Sequence, residues 1–241
     1  MSVSFVELRY YYLRNGRSGQ VKRALEFLSV GYAPAARRAG IGPIGIFRPM
    51  IAADAPFFLV VLGHASLAAM QASMELMSKD AVYQSALTEF HADAGLPYVR
   101  MESSLLRCFR SVPTIETGVA DAVPGIFELR TYESDNEATL ARKIGMFDEG
   151  EIALFRKHGI RPVFFGEAII GPKLPRLTYM VAFPSMTERE KAWGAFIGDP
   201  EWKSLYARPG LSDEDIVSNS GNMILRAVEG AEIARRNTPG R

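Results

Sequence analysis

The sequence predicts an α+β protein made of two ferredoxin-like βαββαβ units in tandem, with their sheets packed against each other. Three observations carry this. First, the chain repeats itself. Val6-Glu7-Leu8-Arg9-Tyr10-Tyr11 returns as Phe127-Glu128-Leu129-Arg130-Thr131-Tyr132, an apolar-Glu-Leu-Arg-x-Tyr frame displaced by 121 residues. Later landmarks recur at 119: Gly40-Ile41-Gly42-Pro43 with Gly159-Ile160-Arg161-Pro162, Asp80-Ala81-Val82-Tyr83 with Asp199-Pro200-Glu201-Trp202, and Leu105-Leu106-Arg107 with Ile224-Leu225-Arg226. So long a period describes two copies of a compact domain, because solenoid repeats are much shorter. Second, each copy alternates two- and 3.6-residue apolar patterns in the order strand, helix, two strands, helix, strand. Third, 241 residues at 48% hydrophobic leave each copy enough apolar side chains for a core.

In the second copy, residues 125–132 alternate as a strand, with Phe127, Leu129 and Thr131 on one face and Glu128, Arg130 and Tyr132 on the other. Ser134 and Glu137 form a capping-box pattern. The helix it starts carries Leu140, Ile144, Phe147, Leu154 and Phe155 and ends at His158-Gly159. Apolar runs at 162–169 and 176–183 read as adjacent strands. Ser185 and Glu188 cap a second helix with Trp193, Phe196 and Ile197 on its buried edge, and Asp199-Pro200 starts another. A polar stretch at 207–221 leads to a last strand at 222–229. The first copy follows the plan: strand 3–11, helix 17–39, strands 43–48 and 57–64, helices 66–90, strand 103–110. The units are therefore 1–111 and 124–230, joined by a polar connector at 112–123 and followed by a frayed tail at 231–241.

A net charge of +1 without a long basic run argues against nucleic acid or an acidic membrane as partner. The single cysteine, Cys108, excludes an internal disulfide and a multi-cysteine metal site, and its place in a strand makes it an inert core thiol. No apolar run reaches about 18 residues, so no membrane insertion is expected. The N-terminus lacks a signal peptide's charged and apolar regions, which suggests a cytoplasmic protein. Glycine-rich phosphate loops, nucleophile elbows, HExxH and acidic calcium loops are all missing, so neither a cofactor nor a metal is expected.

Helices cover one face of each ferredoxin-like sheet, and the other face must find a partner. With Val6, Leu8, Phe127 and Leu129 turned to the helices, the sets Glu7, Arg9, Tyr11 and Glu128, Arg130, Tyr132 would point between the two sheets. There an arginine could orient a carboxylate, phenolate or enolate and a tyrosine could donate a hydrogen bond. The alternative is a buried structural network, in which Glu and Arg pair with each other or with Arg107 and Arg226. His64 ends an apolar strand and His91 ends a helix. Either could line a cavity or ligate a haem, against a core or surface placement. His158 suits a helix C-terminus. Met70, Met74 and Met77 form a core stripe or a pliable pocket wall, and Trp193 and Trp202 read as packing anchors.

The strand Phe127–Tyr132, the His158-Gly159 turn, the strand Tyr179–Phe183 and the run Arg189-x-x-x-Trp193-x-x-Phe196-x-x-Asp199-Pro200-Glu201-Trp202 together resemble the NIPSNAP family over 124–229. The first copy departs from it: Met74 stands for Trp193, Met70 for Arg189, Tyr83 for Trp202 and His64 for Phe183. The resemblance implies a pseudo-symmetric dimeric α+β barrel closed within one chain around a central cavity. Barrels of this kind include cofactor-independent monooxygenases, small-ring isomerases and haem-degrading enzymes, and NIPSNAP proteins have proposed roles in vesicle traffic and mitochondrial signalling. Three functions follow as expectations: binding of a small apolar, aromatic or carboxylated molecule in the cavity, as a cofactor-independent oxygenase or isomerase; a non-enzymatic interaction or adaptor protein; and a haem-binding or haem-degrading protein. A homodimer or larger homo-oligomer is expected as well.

Overall fold

A computed structural model describes residues 4–16, 19–92, 95–117, 125–228 and 232–234, and both halves take the anticipated element order. The first half is β1 (Phe5–Tyr12), α1 (Gln20–Glu26), a π-helical stretch (Phe27–Tyr32), α2 (Ala33–Arg38), β2 (Ile44–Ile51), β3 (Phe57–His64), α3 (Leu67–Lys79), α4 (Ala81–Ala92) and β4 (Arg100–Cys108). The second is β5 (Ile126–Glu133), α5 (Glu137–Met146), a second π-helical stretch (Phe147–Glu151), α6 (Ile152–Lys157), β6 (Arg161–Ile170), β7 (Arg176–Phe183), α7 (Met186–Gly198) and α8 (Pro200–Tyr206), followed by the short α9 (Asp213–Ile216) and β8 (Asn219–Ala227). The strands close an antiparallel barrel in the order β1-β3-β2-β8-β5-β7-β6-β4. The halves join at β2–β8 and β4–β6, so each unit pairs the outer strands of the other.

Apolar side chains fill the barrel. Leu8, Phe47, Leu59, Phe127, Leu129 and Met180 meet there, and Phe47 and Phe127, from opposite halves, pack edge-on with ring centroids 4.9 Å apart. This reverses one expectation. Val6, Leu8, Phe127 and Leu129 turn into the barrel, and Glu7, Arg9, Tyr11, Glu128, Arg130 and Tyr132 face outward, beneath the helices. Alternation marks two faces but not which is inner, because both faces of each sheet are covered. Desolvation decides it. Inside the barrel the carboxylates would face hydrocarbon, whereas the helix layer brings Tyr32, Arg189 and Trp193 into hydrogen-bonding reach.

Local details also differ from the sequence reading. Asn136, not Ser134, caps α5: its side chain accepts from Thr139 N–H, and Thr139 Oγ1 accepts from Asn136 N–H. The Ser134 hydroxyl instead donates to the Ile216 carbonyl. Ser185 and Asp199 cap α7 and α8 as anticipated. Part of the segment expected to fray is ordered: Glu232–Ala234 form a 3-10 turn, Ile233 is fully buried in the barrel core, and Glu232 accepts from Ile44 N–H and pairs with Arg37. The connector makes the reciprocal contact. Ile115 enters the same core, Glu116 N–H donates to the Val163 carbonyl, and the Glu116 carboxylate pairs with Arg156, which stands 119 residues beyond Arg37. The chain leaving each half thus straps the other. Residues 118–123 of the connector, and 231 and 235–241 of the tail, lie outside the described residues.

Candidate functional site

Strand alternation places Glu7, Arg9 and Tyr11 on the helix-facing side of β1. Glu7 Oε1 accepts from Arg9 Nε at 2.9 Å, Arg9 Nη2 at 2.7 Å and Ser103 Oγ at 2.7 Å, and Oε2 lies 3.2 Å from His64 Nε2. Arg9 Nη1 donates to the Tyr32 hydroxyl at 3.0 Å, from the first π-helical stretch. Burial alone would raise the Glu7 carboxyl, but the hydrogen bond to His64 and the charge of Arg9 outweigh it and hold it at about 2. For Arg9, burial opposes the charge, and Tyr32 and Glu7 more than restore it.

The second half keeps the frame and changes the partners. Glu128 accepts from Arg130 Nη1 at 3.0 Å, from Arg189 Nε and Nη2 at 2.8 and 2.7 Å, and from Trp193 Nε1 at 2.9 Å. Arg130 Nε donates to the Tyr132 hydroxyl, itself 3.0 Å from the Tyr179 hydroxyl. Where the first half carries Met70 and Met74 instead of Arg189 and Trp193, His64 and Ser103 attend the carboxylate. His64 and Ser103 thus take the place that two helix-borne partners hold in the other half. Its Nε2 is engaged with Glu7 rather than turned toward a ligand.

A second buried pair was not foreseen. Lys143 Nζ lies 3.2 Å from Glu151 Oε2, both nearly inaccessible, with the ammonium 4.7 Å from the Phe147 ring centroid. Burial raises the Glu151 carboxyl, and Lys143 opposes that rise. The two residues are eight apart, a poor match in an unbroken α-helix. The extra residue of the π-helical stretch brings them onto one face, as a spacing of seven would in an α-helix.

Between the first π-helical stretch and α4 lies a cleft of about 570 Å³, walled by Phe27, Val30, Gly31, Val82, Ala86 and Phe90, with Arg23, Glu26 and Glu89 also lining it. Phe27 and Phe90 stack at 4.3 Å with an interplanar angle of 2°. Tyr32 lies next to Phe27, at 6.4 Å, so one aromatic layer separates the cleft from Arg9. Gly31 allows the closest helix approach, since a Cβ there would stand 2.9 Å from that of Ala86.

The repeat shows how the two helix covers differ, and of the positions compared only Ala86 lines the cleft. At an offset of 119, Phe155, Trp193, Phe196, Trp202 and Leu205 correspond to Ala36, Met74, Met77, Tyr83 and Ala86. In the second half these side chains interlock, with Phe155 5.2 Å from Trp193 and Phe196 4.4 Å from Trp202. In the first half Met77 is buried but Met74 is 57% exposed, so the expected methionine core stripe holds only at one end.

The remaining candidates lie apart from these clusters. His91 is exposed at the end of α4, its ring 5.6 Å from that of Phe90. His158 Nε2 meets Asp199 Oδ2 at 2.6 Å, tying α6 to the start of α8. Cys108 is buried, and burial pushes its thiol up to about 12. Arg107 pairs with Glu167, not with Glu7. Among the described residues no group of three or more His, Cys, Asp or Glu is placed to hold a metal ion, and no helix is long and apolar enough to cross a membrane.

The architecture is that of a dimeric α+β barrel with both protomers fused in one chain. Residues 127–231, nearly the whole of the second half, match the NIPSNAP family model. None of the curated proteins matches the chain. Three solved structures are similar over nearly its full length. A proposed monooxygenase from Fusobacterium nucleatum has a TM-score of 0.61 at 8% identity, covering 98% of this chain and 99% of that one. A proposed monooxygenase from Lactobacillus acidophilus has a TM-score of 0.59 at 11% identity, covering 93% and 94%. An anthrone oxidase-like protein has a TM-score of 0.54 at 12% identity, covering 99% and 97%. At such identities the likeness concerns the fold.

Proposed function

We propose that this chain binds a planar, largely apolar molecule in the cleft of its first half, as the substrate of a cofactor-independent oxygenation by dioxygen or of an isomerisation. One observation carries the reading. Two helix layers rest on the same barrel; one is filled with aromatic side chains, and the other holds a cleft of about 570 Å³, within the usual size of small-molecule sites. The Phe27–Phe90 stack offers a flat apolar contact. Arg9 is engaged with Glu7 and Tyr32, so recognition rests on the aromatic wall rather than on an arginine–carboxylate clamp. The names of the full-length structural neighbours agree with this reading without carrying it. Titration with the neutral fluorophore N-phenyl-1-naphthylamine tests it. Saturable binding is expected for the native chain, weakened at least about tenfold by Val82→Trp, which places an indole at the mouth of the cleft from a position 68% exposed. Equal binding by the variant, or no saturation by either, would sink the proposal.

A second reading, an adaptor without chemistry, draws on the filled barrel and on Val30 and Val82, 72% and 68% exposed at the cleft. It gains if the probe fails to bind and the native chain has no turnover on any planar substrate offered.

A further inference from the structure

A second crevice, of about 290 Å³, lies in the other half between the turn entering β6 and the start of α7, lined by His158, Gly159, Arg161, Pro184, Glu188 and Lys191. Arg161 is its unexplained group. Its Nη1 is buried without a hydrogen-bond partner, and no carboxylate among the described residues pairs with it. The nearby acids are occupied: Glu188 meets Lys191 at 2.9 Å, and Asp199 meets His158 and Lys157 at 2.6 and 2.8 Å. A guanidinium drawn partly out of water without a partner is costly, and bidentate pairing with an oxyanion is the usual remedy.

The internal repeat supplies a control. At the same offset of 119, His158, Arg161, Glu188 and Lys191 correspond to Ala39, Gly42, Ala69 and Ala72. The same turn is thus built in the first half with no charge at those positions, so the backbone does not require a cation there. We propose that this crevice binds a compact oxyanion, a phosphate or carboxylate group, with the Arg161 guanidinium as its main contact and Lys191 as the second. The volume leaves room for a few further atoms of a molecule bearing that group. The site is separate from the cleft of the first half and stands whether or not that cleft takes a ligand.

The probes are inorganic phosphate and acetate, each titrated at constant ionic strength and followed by calorimetry. At least one should bind saturably, and which one does distinguishes the two sources of the anion. Arg161→Gln should weaken that binding by about tenfold or more, the scale of one lost charge-assisted contact. Because Arg161 opens β6, Lys191→Glu is the companion variant; its ammonium is on a side chain 69% exposed, so the change leaves the strand untouched and should also weaken binding several-fold. Saturation by neither probe overturns the proposal. So does binding that survives Lys191→Glu and a folded Arg161→Gln unchanged.

Discussion

Glu7 and Glu128 hold corresponding places on β1 and β5 and are satisfied by different groups, His64 and Ser103 in one half, Arg189 and Trp193 in the other. The Glu-Leu-Arg frame makes an ion network legible from sequence. Its facing is not, because that depends on where polar partners sit in the third dimension. The Lys143–Glu151 pair is hidden for a related reason: only the π-helical register aligns it, and nothing in the residue types announces that register. The Glu7 carboxyl sits at about 2 against an ordinary 4.5, so its contribution to stability is complete above about pH 5 and drains away as pH falls toward 2. Near neutrality that amounts to roughly 3 kcal/mol. Glu7→Gln should therefore lower unfolding stability by about that much near pH 7 and by less than half as much near pH 3. Denaturant titrations at the two pH values measure it, and an equal deficit at both would contradict the linkage.

The elements were largely readable. Strands β3 and β7 and the caps Ser185 and Asp199 fall where the apolar runs and capping chemistry put them. The helix caps differ at Asn136, two residues beyond the serine that fits the pattern, because Ser134 is taken by the Ile216 carbonyl. The straps were not readable, since a polar, glycine-containing connector and a charged tail carry no period. Each strap works through one or two residues whose role appears only when the other half is present. Ile233 is fully buried in the shared core, so Ile233→Ala should cost about 3 kcal/mol of unfolding free energy, measurable by chemical denaturation. A change within about 0.5 kcal/mol would mean that the strap closes on the barrel without holding it.

At the scale of the whole molecule, duplication has produced one closed barrel with two unlike covers. The barrel interior is spent on cohesion. The fold and its internal repeat were visible in the sequence because the Glu-Leu-Arg frame and the glycine and proline landmarks recur in order. The place of the cleft was not. It lies beside Ala86, where the second half carries Leu205 packed with Met146 and Ile216, and the residues that wall it come from two helical segments far apart in sequence. The account rests on that asymmetry, and a crystal structure of the chain soaked with a planar apolar probe tests it directly. The predicted result is one molecule per chain, seated against Phe27 and Phe90 in the first half, with the second half and the barrel empty of probe. A probe found equally in both halves, or inside the barrel, or in neither, would contradict it.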